Sequence, residues 1–274
     1  LDLYSNQIND TTSLSNLTSL TRLFLSNTKI SDISIISNLL NLTELYLSNN
    51  EINDISYITE LSQLKWIHLF NNKITELPDL SNLTNLTVLD LNNNQIIDII
   101  NLSSLSSLTN LDIINNKIID ISSIASLDTL EEVDLKDNQI TSIPDLSILI
   151  KLRHLNLSYN QITEMPNLFS LPSLNVLNLN NNKITEIPEI SDLNLSKLTI
   201  LSLNYNQITE IPNLSRLESL TQLKLTDNKI DDITSLNNLT SLTYLTLDNN
   251  QITEIPNLSR LESLTRLYLN NNKI

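Results

Sequence analysis

Asp90, Asp112 and Asp134 are evenly spaced along the chain, and His68 stands one such interval before the first of them. If that interval reflects structural repetition, the three carboxylates form one column, with Glu132 and Asp137 nearby and Lys136 as the one close base. Such a column attracts a cation or a basic protein surface. Calcium wants about six to eight oxygens around it, and a flat column supplies too few. Carboxylates about 5–7 Å apart in a water-like dielectric repel by somewhat under 1 kcal/mol per pair, so a solvated acidic strip without a partner is the competing reading. The two histidines, His68 and His154, lie several repeats apart and cannot share a metal or a catalytic pair. Cysteine and glycine are absent, which removes thiolate sites, disulfides and phosphate-cradling loops, and no nucleophile elbow or zinc spacing occurs. The expectation is a chain without catalysis, cofactor or metal.

A second group of residues suits an interface. Tyr4, Phe24, Tyr46, Trp66, His68 and Phe70 gather toward the start of the chain, although it has only 11 Phe, Tyr and Trp in all. Tyr159, Tyr205 and Tyr244, with Tyr268, make a looser series further on. Aromatic side chains pointing out of a strand are not needed for a core and tend to anchor interfaces. Cross-strand stacking that stiffens a sheet is the alternative reading. The net charge of −15 and pI near 4.4 argue against nucleic acid or an anionic membrane as partner and favour a basic protein surface. No run of apolar residues is long enough to span a membrane, so membrane insertion is not expected, and residues 1 to 30 show no basic start followed by an apolar stretch, although the chain opens in mid-pattern at Leu1-Asp2-Leu3.

The elements that position these residues are repeats. The pattern L-x-L-x-x-N-x-I places Asn at 6, 50, 72, 94, 116, 138, 160, 182, 206, 228, 250 and 272, with Thr28 in the remaining slot. These positions keep a 22-residue period. Only the step from Asn182 to Asn206 is longer, and its two extra residues fall within 189 to 196, most easily in a loop. Leu223-Lys224-Leu225 alternates as a short strand does. The Ile-x-x-Ile and Leu-x-x-Leu spacing that follows each Asn suits a 3₁₀ or irregular helical arm. One such unit cannot bury its apolar edge, whereas a stack of them forms continuous aliphatic columns. Asn occupies 42 positions of a chain with no glycine. At the turn its amide is expected to satisfy unpaired backbone groups and to repeat as a ladder, with the neighbouring Asp137 merely facing solvent.

Leu86-Thr87-Val88-Leu89-Asp90-Leu91-Asn92-Asn93-Asn94-Gln95-Ile96 resembles the L-x-x-L-x-L-x-x-N-x-I signature of leucine-rich repeats. The 22-residue length and the Ile-x-Asp/Glu-Ile continuation are similar to the subclass holding the protein phosphatase 1 regulatory subunit and the bacterial internalins. The resemblance implies an α/β solenoid: a right-handed coil with a parallel β-sheet on the concave face and short 3₁₀ or irregular helical arms on the convex face. One domain over 1–274, of about 12 repeats and without the family's terminal caps, is expected.

Residues 206–230 and 250–274 differ at four positions only: Gln222 against Arg266, Lys224 against Tyr268, Thr226 against Asn270 and Asp227 against Asn271. All four are outward positions on or beside the strand, which the resemblance puts on the concave face. This favours duplication of two repeats whose concave surface was later altered, with drift at unconstrained positions as the alternative. Eleven N-x-S/T triplets occur, including Asn156 and Asn194, most of them part of the repeat itself. The expected function is a non-catalytic, monomeric protein-interaction scaffold that binds a partner on its concave face. The resemblance implies either a regulatory subunit of the phosphatase type or a surface adhesin or host-binding domain of the internalin type.

Overall fold

Alternation in each L-x-L segment turns both leucines to one side of a short strand, and the interval between copies stacks these strands in parallel. The computed structural model describes residues 1–8, 11–165, 171–189, 195 and 197–274. They form two compact units, Leu1–Gln139 and Ile140–Ile274.

The first unit carries β1 (Arg22–Phe24), β2 (Glu44–Tyr46), β3 (Trp66–His68), β4 (Val88–Asp90), β5 (Asn110–Asp112) and β6 (Glu132–Asp134). They pair in chain order, all parallel, and Asp2 adds a single bridge to Phe24. Leu23, Leu45, Ile67, Leu89, Leu111 and Val133 face one another in that register and are buried. The second unit carries β7 (His154–Asn156), β8 (Val176–Asn178), β9 (Ile200–Ser202), β10 (Gln222–Lys224), β11 (Tyr244–Thr246) and β12 (Arg266–Tyr268), again parallel and in chain order. Leu223 and Leu225 are both 0% exposed, while Lys224 between them is half-buried on the opposite face. The aliphatic columns therefore point inward as the sequence requires. Val176 pairs with Ile200 across the longer repeat, which therefore closes in register. Residues 190–194 and 196 of the stretch expected to hold its two extra residues, Asn194 among them, lie outside the described residues.

The repeated Asn is buried, at 7–9% exposure from Asn50 to Asn250, and each one ties two repeats together. Asn72 donates through Nδ2 to the carbonyls of Leu69 and Leu47, both at 3.0 Å, and accepts the Ile52 N–H at 3.0 Å. Asn228 repeats the arrangement in the second unit with Leu225, Leu203 and Ile208. Thr28 keeps one of these bonds, from its hydroxyl to Leu25 O at 2.6 Å.

The turn itself is made by the preceding residue, a role the sequence reading assigned to the ladder Asn. Asn27, Asn49, Asn71, Asn93, Asn115 and Asp137 in the first unit, and Tyr159, Asn181, Tyr205, Asp227, Asn249 and Asn271 in the second, all have φ between 53° and 65°. This left-handed region normally favours glycine, with Asn the best substitute because its short polar side chain tolerates it. A chain without glycine thus turns on asparagine. Asp137 is exposed as expected, but its φ of 58° makes it a conformational position as well.

The arms differ with sequence. Where Asp-Ile-Ser or a close variant follows the ladder, a 3₁₀ helix forms, as at Ser34–Asn38, Ser56–Ile58, Ile100–Ser104, Ser122–Ser126 and Thr234–Asn238. The Asp carboxylate accepts the N–H two residues on, for example Ser34 to Asp32 and Ser122 to Asp120, both at 2.8 Å. Where proline follows, as at Pro78, Pro144, Pro212 and Pro256, no helix forms. Proline lacks the N–H and keeps the preceding residue extended.

Candidate binding face

Strand register converts the sequence spacing into a surface. In the first unit Phe24, Tyr46, His68, Asp90, Asp112 and Asp134 lie side by side on β1 to β6. Phe24, Tyr46 and His68 of the aromatic group run into the carboxylates as one column, joined at His68, whose Nδ1 lies 3.5 Å from Asp90 Oδ2.

Phe24 and Tyr46 stack with centroids 4.5 Å apart at 10°, and Tyr46 and His68 at 4.7 Å and 6°. Both faces of Tyr46 are therefore covered, and the stack shows its edges to solvent. For these three residues the cross-strand stacking expected as an alternative is what the structure contains. Glu44 braces the start of the column, pairing with Arg22 Nε at 2.8 Å and accepting from the Tyr46 hydroxyl at 3.5 Å. Burial first and the Glu44 carboxylate second raise the Tyr46 phenol above its ordinary pKa. Trp66, in register with Glu44 and Val88, and Tyr4 lie outside this stack and are 43% and 58% exposed. Phe70, just beyond the end of β3, is half-buried on the turn side.

The acidic residues are not equivalent. Asp90 accepts the Asn92 N–H at 3.1 Å and Asp134 accepts the Lys136 N–H at 3.0 Å. The matching donor beside Asp112, the Ile114 N–H, goes instead to Asn92 Oδ1 at 2.5 Å. Asp112 is thus a partly buried carboxyl set between two others. Burial, then Asp90, Asp134 and Glu132, push its pKa up to about 6, against a small opposing effect of His68. Among the described residues no group of three or more His, Asp or Glu is arranged to hold a metal ion, and no helix is long and apolar enough to cross a membrane.

The second unit presents different chemistry on the same ladder. Asn156, Asn178, Ser202, Lys224, Thr246 and Tyr268 form its matching column. The tyrosine series read from the sequence divides in two. Tyr244 and Tyr268 meet on β11 and β12 at 5.7 Å, with Lys224 Nζ 6.0 Å from the Tyr244 ring. Tyr159 and Tyr205 instead occupy the left-handed turn column, at φ 57° and 56°, and are 51% and 53% exposed. That column also carries an outer amide ladder in both units, with Asn71 donating to Asn49 at 2.9 Å and Asn271 to Asn249 at 2.8 Å. Sequence reasoning missed it, although the Asn that precedes most ladder positions was its signal.

A parallel sheet of short strands, aliphatic columns and a buried Asn ladder define a repeat-built binding scaffold. The family described as "Leucine-rich repeat region" matches residues 113–274, and "Leucine Rich repeats (2 copies)" matches 18–62 and 62–105. No curated protein matches the chain in sequence. Among solved structures it is similar to an internalin from Listeria monocytogenes, at 35% identity and TM-score 0.90 over 99% of this chain and 80% of the internalin. A leucine-rich-repeat protein of Leptospira interrogans is similar at 32% identity and TM-score 0.91, over 99% of this chain and 72% of that one. The plant peptide hormone receptor RGFR1, solved in complex with RGF2, is similar at 29% identity and TM-score 0.87, over 99% of this chain and 47% of that one. The chain belongs to the leucine-rich-repeat family. Members of that family are generally non-catalytic protein-interaction scaffolds.

Proposed function

We propose that this chain is a non-catalytic scaffold that holds a protein partner with a basic surface on the exposed sheet face. The observation that carries this reading is the continuous column Phe24-Tyr46-His68-Asp90-Asp112-Asp134, flanked by the exposed Trp66. Aromatic edges supply contact area, and the carboxylates steer and orient a cationic surface. Tyr4 and Phe70 extend the contact in the first unit. Tyr244 and Tyr268 offer a second anchor in the second unit, and Tyr159 and Tyr205 add exposed rings on its turn column. A left-handed tyrosine costs backbone energy that Asn would largely avoid, which supports a use for the Tyr205 ring outside the fold. The test is affinity capture on the purified chain, comparing wild type with Trp66→Ala/Phe70→Ala and, separately, Asp112→Lys. Loss of the captured partner in both variants supports the reading, and unchanged capture in both refutes it.

Within this scaffold role, likeness to an internalin at 35% identity favours a surface adhesin or host-binding domain over the phosphatase-type regulatory subunit. Binding of the labelled chain to intact animal cells, abolished by the same variants, separates the first reading from the second. Capture of a phosphatase catalytic subunit from extract would reverse the preference.

A further inference from the structure

Ile97, Ile100 and Ile119 are 57%, 66% and 50% exposed, and they lie away from the strand columns, just after the ladder positions Asn94 and Asn116. The repeat does not ask for them. The third residue after the ladder Asn is Thr75, Thr141, Thr185 or Thr209 in other copies, where Ile97 and Ile119 stand here. The sixth is Thr12, Ser34, Ser56 or Ser122 in the other helix-forming copies of this unit, where Ile100 stands. All three isoleucines line one depression of about 200 Å³, and Ile97 and Ile100 also line an adjoining one of about 390 Å³ with Leu77. Isolated exposed aliphatics are ordinary, but a contiguous set rimmed by polar groups marks a contact site.

The rim is acidic. Glu76, Asp98 and Asp120 line the two depressions and are exposed. On the strand side, Lys117 is the near base in sequence, while Lys73 is held by Glu51 at 2.8 Å. An apolar floor with a carboxylate rim fits an aliphatic side chain flanked by Lys or Arg. It disfavours a second copy of a chain carrying −15, because the same rim would face itself. We propose that this flank of the first unit is a docking site, distinct from the sheet face, for a protein segment in which leucine or isoleucine is bordered by basic residues.

The test uses a fluorescein-labelled peptide RKLLRK and its acidic counterpart EELLEE, with binding followed by polarisation and by isoleucine methyl resonances. Ile97→Thr/Ile100→Ser/Ile119→Thr installs residue types that other repeats carry, so the fold is retained. The expected result is saturable binding of the basic peptide, with shifts at Ile97, Ile100 and Ile119, at least tenfold weaker in the triple variant and several-fold weaker in Glu76→Lys. Trp66→Ala/Phe70→Ala leaves this binding unchanged, which separates the site from the sheet-face reading. Equal binding of both peptides, unchanged affinity in the triple variant, or no binding at millimolar peptide would overturn the proposal. So would a wild-type dimer in sedimentation that the triple variant dissociates, since a second copy would then be the occupant.

Discussion

The two units are the same coil with different faces. Asn72 and Asn228 make the same set of bonds at nearly the same lengths, and Leu45 and Leu223 are both wholly buried. On the open face of the sheet, however, the first unit shows stacked rings running into carboxylates, whereas the second shows amides, hydroxyls, a lysine and paired tyrosines. The difference teaches that inward and ladder positions are fixed by the coil, while outward positions, the side chain at the left-handed turn included, are free to report use. The near-identical copies 206–230 and 250–274 make the same point within one unit, since they differ only at outward positions.

The shared framework is tested most severely at the ladder. Asn72→Ala and Asn228→Ala each strand one buried N–H, that of Ile52 or Ile208, and remove one of the two amide donors from each of two carbonyls, and should each cost about 1–3 kcal/mol, read by urea unfolding. Gln139→Ala, exposed and outside the left-handed column, should stay within about 0.5 kcal/mol. Asp137→Ala is not a neutral control, because alanine at φ 58° carries a strain of its own. A ladder substitution that matters in one unit and not in the other would break the equivalence of the two frameworks.

The contrast between faces makes the next largest prediction. Asp112→Lys should weaken the captured partner at least about tenfold, about 1.4 kcal/mol, while Lys224→Glu in the second unit changes it less than about twofold. Equal losses in surface plasmon resonance would erase the distinction between the faces. At the turn, Tyr205→Asn should stabilise the second unit by about 0.5–1 kcal/mol and Asn93→Tyr should destabilise the first by about 1 kcal/mol, both read as shifts in Tm. Opposite signs would show that the tyrosine makes a contact worth more than its strain.

The smallest effect is a pH dependence confined to the first unit. Asp112 keeps its proton up to about pH 6 in the folded chain and only to about 4 when unfolded. The folded state therefore binds more protons between those values, and stability falls as pH rises from about 4 to about 6. Asp112→Asn should remove that fall and stabilise the chain at pH 7 by up to about 1 kcal/mol after solvent screening, with no gain below about pH 4. Unfolding curves at pH 4 and pH 7 check the sign.

Much of the fold was legible because it is periodic. The strand, the buried leucines and the ladder Asn recur at a fixed interval, and each is set by a residue's own type and its neighbours along the chain. The proline arms could likewise be read from Pro78 and Pro212, because proline acts on the residue beside it. The candidate face was half legible. Its residues could be ordered by repeat and the stacking that covers the faces of Tyr46 could be read as an alternative, but the separation of Tyr159 and Tyr205 from the strands was not visible. The apolar set Ile97, Ile100 and Ile119 was not legible as a surface because each adjoins a buried isoleucine, Ile96, Ile99 or Ile118, and residue type alone does not tell the two apart.

The sequence by itself determined a coil of 22-residue turns with aliphatic side chains inside and one Asn per turn, because burying a periodic apolar edge has few solutions. Tertiary structure alone decided how neighbouring turns share donors and space. The Ile114 N–H goes to Asn92 of the preceding repeat, which leaves Asp112 without the bond that Asp90 and Asp134 each hold. That choice depends on distances across repeats, which no local pattern of residues specifies.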